Sequence, residues 1–184
     1  IPNVNQDELN GGIIYHDGQF DDARMAISLG HTIEKNGGTV MNYLKWESFS
    51  YENDIVSGIK ATDQITNITY ELKAKVIVNA TGVFAEKIMR TDDPESKIRI
   101  KPSQGVHLVL DHSFLKSENA IMVPNTSDGR VLFAVPWHDV VIVGTTDTEV
   151  KDISIEPTAT DEEIDFILAN AEKYMTRKPK RSDV

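Results

Sequence analysis

A mixed α/β (α+β) fold is predicted by three features of the chain: two stretches of helical apolar spacing, several short alternating segments parted by turn residues, and one unbroken apolar run. The expected architecture is a three-stranded meander, a strand of the parallel type and a mostly antiparallel sheet. At 184 residues the chain is long enough for one substantial domain or two small ones.

Asp21 or Asp22 can cap a helix over 22–36, where Ala23, Ala26, Ile27, Gly30 and Ile33 fall at helical spacing before Gly37-Gly38 end it. β-rich segments at 40–49, 55–61 and 68–74 follow, separated by Asn53-Asp54 and Asp63-Gln64, the chemistry of tight turns. In the third, Ile68, Tyr70, Leu72 and Ala74 alternate onto one face. The run Lys75-Val76-Ile77-Val78-Asn79-Ala80-Thr81-Gly82 does not alternate; it reads as a strand buried on both faces, as in a parallel sheet, with a short helix over 83–90 behind it. Thr91 to Lys97, with Asp92-Asp93-Pro94, breaks the periodicity and is the expected boundary. Beyond it, 98–101, 105–110, 120–123, 131–135 and 140–144 read as strands, the last two joined by the loop Pro136-Trp137-His138-Asp139. Thr160-Asp161-Glu162-Glu163 forms a capping box opening a helix with Ile164, Ile167, Leu168, Ala171 and Met175 on one side, ending before Pro179.

Composition narrows the function classes. Hydrophobic residues at 40% and charged residues at 26% are those of an ordinary globular chain, not a disordered one. Nineteen Lys plus Arg against 29 Asp plus Glu leave a net charge of −10, which argues against nucleic acid as a partner, because phosphate contacts need clustered cations. The absence of cysteine removes disulfides, Cys-ligated zinc, iron–sulfur clusters and thiol nucleophiles. Apolar runs such as Val140 to Val143 fall far short of the roughly 20 residues that span a bilayer, and no signal-peptide core appears, so a soluble, cytoplasmic chain is expected. The opening at Ile1-Pro2 without an initiator methionine, and the end at Arg181-Ser182-Asp183-Val184 without a terminating element, suggest an internal fragment of a longer polypeptide.

Three stretches could carry chemistry. In Val78-Asn79-Ala80-Thr81-Gly82, small residues at the carboxyl end of a strand would let backbone amides approach a phosphate or ribose; a tight strand-to-helix turn is the plain reading beside it. In Lys101-Pro102-Ser103-Gln104-Gly105-Val106-His107, a glycine precedes a histidine that faces away from the Val106, Leu108, Leu110 stripe, on the side of Val109. An imidazole there could take a proton from a substrate hydroxyl or hold an anion, or could be an ordinary surface group. Pro136-Trp137 with Gly144-Thr145-Thr146-Asp147 could line a pocket or serve as turn and capping chemistry. His16, His31, His112 and His138 show no metal-ligand spacing, and no metal site is expected.

In order along the chain, Tyr15-His16-Asp17-Gly18 with Asp21-Asp22-Ala23-Arg24, Val78-Asn79-Ala80-Thr81-Gly82, Lys101-Pro102-Ser103-Gln104-Gly105-Val106-His107, Val135-Pro136-Trp137 and Gly144-Thr145-Thr146-Asp147 resemble the FAD-dependent, quinone-linked glycerol-3-phosphate dehydrogenases over nearly the whole length. The resemblance implies an FAD-binding, amino-acid-oxidase-like fold: residues 1–20 a strand of the substrate domain, 21–92 the second part of the FAD-binding domain, and 93–184 part of the substrate-binding domain. It implies oxidation of glycerol 3-phosphate at C2 to dihydroxyacetone phosphate with hydride passing to FAD, and electrons leaving to quinone, or to oxygen in the oxidase branch. By motif, Asn79, Ala80, Thr81 and Gly82 would sit beside the FAD. His107 would be the catalytic general base or hydroxyl-orienting group, and Arg24 a structural ion-pair partner.

The family's amino-terminal GxGxxG turn and its downstream phosphate-binding arginine are not in this chain, so these residues alone are expected to be inactive. Peripheral attachment of the parent to the inner face of the cell membrane comes with a quinone acceptor. Two other readings are a stand-alone α+β binding module, in which the Asn79–Gly82 turn and His107 are structural, and a related FAD-dependent oxidase of another small substrate.

Overall fold

In the computed structural model, which describes residues 3–7 and 9–184, the chain divides into two units, Ile13–Arg99 and Ile1–Gly12 with Ile100–Val184. The first begins with helix α1 (Asp22–Lys35), capped where the Asp21 carboxylate accepts the Arg24 N–H at 2.9 Å, and closed where the Gly37 and Gly38 N–H groups donate to Glu34 and Ile33. The expected meander follows as β1 (Leu44–Glu52), β2 (Ile55–Asp63) and β3 (Thr69–Lys73), antiparallel in that order. Asn53 and Asp54 both take positive φ, as a two-residue hairpin turn demands, and the Asp63 carboxylate accepts from Ile65 N–H and Thr66 Oγ1 to shape the second turn. A bulge between Trp46 and Ser48 returns Phe49 to the face of Trp46, and their rings lie 5.3 Å apart. Tyr70 and Leu72 share a face as the alternation required, but that face stays exposed within this unit.

The run 75–81 corrects the expectation of a strand. It pairs with no neighbour, and Val76 and Val78 are 77% and 80% exposed. A strand buried on both faces needs hydrogen-bonded neighbours and a cover on each side, and all the sheets here are antiparallel and elsewhere in the chain. The helix behind it starts as a 3-10 turn at Gly82–Phe84 and continues as α2 (Ala85–Asp92).

The second unit is built on a four-stranded antiparallel sheet of β5 (His107–Asp111), β8 (Val140–Gly144), β7 (Leu132–Trp137) and β6 (Ile121–Val123), in that spatial order. Two short strands, β4 (Ser103–Gln104) and β9 (Thr148–Glu149), pair with each other in a separate ladder. Helix α3 (Asp161–Tyr174) has the predicted capping box and lays Ile167, Leu168 and Ala171, with Met175 just beyond its end, against Leu108, Leu110, Leu132, Ala134, Val141 and Val143. This one cluster holds nearly all the buried apolar side chains of the described residues.

Three further expectations differ. Residues 98–101 form no strand, and pairing begins at Ser103. Strand β7 runs through Pro136-Trp137 and the connection narrows to His138-Asp139, because β6 reaches only to Ala134 and Pro136 has a strand on one side alone, where a missing N–H is tolerated. Over 1–20 the described residues carry one bridge, Val4 to Met175, flanked by bonds from Asn5 N–H to Tyr174 and Thr176 N–H to Asn3; Ile1, Pro2 and Glu8 lie outside the described residues. Among the described residues no helix is long and apolar enough to cross a membrane.

Candidate functional site

Within the second unit, two of the sequence motifs meet. Ser103 and Gln104 pair with Glu149 and Thr148, and three residues on His107 faces Gly144 across the β5–β8 ladder. Glycine at two positions allows this crossing. A Cβ on Gly105 would come within 2.7 Å of Thr145 Oγ1 and 2.9 Å of the Thr146 carbonyl, and one on Gly144 within 2.6 Å of His107 Cδ2 and 2.7 Å of the Val106 carbonyl.

Strand alternation sends Leu108 and Leu110 into the core and turns His107 and Val109 outward. Their register neighbours Ile142 on β8 and Phe133, Val135 and Trp137 on β7 share that outer face and are half-buried. His107 is thus an exposed imidazole at the end of an apolar sheet face, and among the described residues its ring makes no hydrogen bond within the chain. Such a group is free to meet a ligand.

Behind the sheet, Glu163 is 3% exposed. Its carboxylate accepts from Gln104 Nε2 at 2.7 Å, Thr146 Oγ1 at 3.0 Å and the Thr160 N–H at 2.9 Å. Burial pushes this carboxyl up, but the bonds from Thr160, Thr148, Gln104 and Thr146 outweigh it and hold it below the ordinary range, so Glu163 is anionic at neutral pH. Beside it a cleft of about 410 Å³ is lined by Arg130, Thr146, Thr148, Thr160, Glu162 and Phe166. Arg130 is not free there: it clasps Asp128, with Nε 2.6 Å from Oδ2, and lies 5.2 Å over the Phe166 ring. That clasp, with a bond from Thr126, takes the Asp128 carboxyl down to about 2.

In the first unit, Asn79, Ala80, Thr81 and Gly82 form an exposed turn into the 3-10 start of α2. Thr81 Oγ1 donates to Asn79 Oδ1 at 2.8 Å and Asn79 Nδ2 to the Ala85 carbonyl at 2.9 Å, so the turn is held by its own side chains. Gly82 takes φ +57, and a Cβ there would meet nothing within 4 Å. A braced, open turn of small residues with backbone amides at a helix start fits the requirements of a nucleotide cofactor. Arg24, expected to form an ion pair, forms none among the described residues; its backbone N–H serves the cap of α1 instead.

The residues that sequence reasoning missed are Gln104, Thr146 and Glu163 as one network. Glu163 read as a capping-box residue, which it also is; the available signal was that Gln104 and Thr146 lie inside motifs of their own.

A family model described as FAD dependent oxidoreductase matches residues 1–184. The chain is 36% identical to the mitochondrial glycerol-3-phosphate dehydrogenase of Schizosaccharomyces pombe, over 100% of this chain and 30% of that protein, and 35% identical to that of Homo sapiens, over 96% of this chain and 25% of that protein. Among solved structures it is similar to the glycerol-3-phosphate dehydrogenase from Bacillus halodurans complexed with FAD, at a TM-score of 0.92 and 35% identity, covering 100% of this chain and 37% of that one. It therefore spans well under half the length of each of these relatives.

Proposed function

Because this chain belongs to the FAD dependent oxidoreductase family, we infer that it works as part of a dehydrogenase that oxidises glycerol 3-phosphate to dihydroxyacetone phosphate. The observation that carries this reading is the outward His107, set at the meeting of the Lys101–His107 and Gly144–Asp147 motifs on an apolar sheet face, in a chain similar throughout to glycerol-3-phosphate dehydrogenases.

In this reading His107 orients the C2 hydroxyl of glycerol 3-phosphate and takes its proton as the C2 hydride departs. FAD, when bound, supplies the two-electron acceptor for that hydride. Asn79, Ala80, Thr81 and Gly82 would hold the cofactor, and the bonds from Thr81 to Asn79 and from Asn79 to Ala85 keep that turn in shape. Val109, Ile142 and Val135 offer apolar surface beside His107, which keeps water from the reacting hydroxyl. Residues 21–92 belong to the FAD-binding domain, and residues 1–20 and 93–184 to the substrate-binding domain. Quinone as electron acceptor, and a cytoplasmic location at the inner face of the cell membrane, complete the reading; their support is the likeness of the motif set to the quinone-linked dehydrogenases.

The test is His107→Ala in the flavin-loaded protein. Flavin reduction by glycerol 3-phosphate should slow by about 10²–10⁴-fold, the usual contribution of a positioned acid–base group, with flavin content unchanged. Undiminished reduction would remove His107 from the mechanism, and a protein that neither holds flavin nor reduces it would favour a binding module.

A further inference from the structure

We propose that Glu163 is a positioning residue for His107: its buried carboxylate fastens both strand segments that flank the histidine to the amino-terminal end of α3. The inference rests on His107 being the substrate-facing group.

The connections are short. Gln104, three residues before His107, donates to Glu163 Oε2. Thr146, two residues after the Gly144 that faces His107, donates to Glu163 Oε1. The same Thr146 hydroxyl accepts the Val106 N–H at 3.0 Å, and Val106 adjoins His107. Because the hydroxyl has a single proton and Glu163 takes it, the oxygen lone pair is left for Val106. One carboxylate thereby sets the direction of the whole relay, from α3 through Thr146 to the backbone at His107. The Thr160 N–H, 2.9 Å from Oε2, anchors the carboxylate in turn.

The crossing that these bonds secure has little tolerance, since the Gly144 backbone lies directly under the His107 ring. A helix cap alone would need only the Thr160 bonds. The additional acceptance from Gln104 on β4 and from Thr146 between β8 and β9 is what a cap does not explain.

Glutamine at position 163 keeps the shape but replaces one acceptor oxygen by a donor, so Gln104, Thr146 and Thr160 can no longer all be satisfied as they are. In the flavin-loaded protein, Glu163→Gln and, separately, Thr146→Val should each lower kcat for glycerol 3-phosphate about tenfold or more through displacement of the imidazole, with KM changed far less. Combined with His107→Ala, neither should cost anything further. In spectra of protein labelled in the histidine rings, the His107 signals should shift in Glu163→Gln while those of His16 and His31 stay in place.

Losses that multiply in the His107→Ala background, or unshifted His107 signals, would overturn the positioning role while leaving His107 itself in place. A His107→Ala protein with full activity would instead overturn the functional reading and this inference with it. Should Glu163→Gln fail to fold, Thr146→Val carries the same test, because it breaks the relay without touching the cap.

Discussion

At the scale of single residues, the site depends on an absent side chain as much as on a present one. Gly144 is buried beneath His107, and alanine there would place a Cβ 2.6 Å from the ring and 2.7 Å from the Val106 carbonyl. Backbone cannot yield as a side-chain tip can, so Gly144→Ala should destabilise the protein by about 1–3 kcal/mol and push the imidazole out of place. Measured in the flavin-loaded protein, it should slow flavin reduction nearly as much as His107→Ala does, with flavin content retained. His107 could be placed from sequence on the outward face because strand alternation has a strict period of two, and β5 obeys it. What the sequence did not display was Glu163, since a capping-box glutamate and a buried anchor for Gln104 and Thr146 look alike until those two segments are in place.

At the scale of elements, local signals and tertiary contacts act on the same residues. Thr160 caps α3 by accepting the Glu163 N–H, and Thr160→Ala should cost about 1 kcal/mol, lowering Tm by roughly 3 °C in thermal unfolding. The loop before β7 is tied by Asp128, which bonds Arg130 and Thr126. Its carboxyl is held at about 2, below the ordinary 3.8, so the charged form is favoured in the folded state. The stability it contributes is fully present above about pH 4 and is lost as pH falls toward about 2. In acid titrations followed by circular dichroism, Asp128→Asn should lower stability at neutral pH and flatten the dependence across that window. The elements legible from sequence were those whose signals are local: the caps of α1 and α3, the Asn53-Asp54 turn and the alternation of β5. The run 75–82 was misread as a strand, because an apolar run reports only that a segment can be buried, whereas the neighbours that would make it a strand come from elsewhere, and 75–81 pairs with none.

Across the whole molecule, burial is unevenly shared. The buried apolar cluster lies entirely within residues 108–175, whereas Ala61 is the one buried apolar side chain recorded in the unit 13–99, where α1 buries none of its residues. Local stability follows packed apolar contacts, so hydrogen exchange of the 184-residue chain should show strong protection in β5, β7, β8 and α3 and weak protection in α1 and at 75–81. Uniform protection across both units would contradict this. The sequence by itself determined the helices, the hairpin turns, the antiparallel character of the second half and the outward direction of His107, all consequences of periodicity and capping within a few residues. Only the tertiary structure decided that 75–81 lies unpaired, that β7 continues through Pro136-Trp137, and that Gln104, Thr146 and Glu163 converge. Those outcomes depend on which distant segments become neighbours, and a hydrogen bond between residues 59 positions apart leaves no periodic trace in either of them.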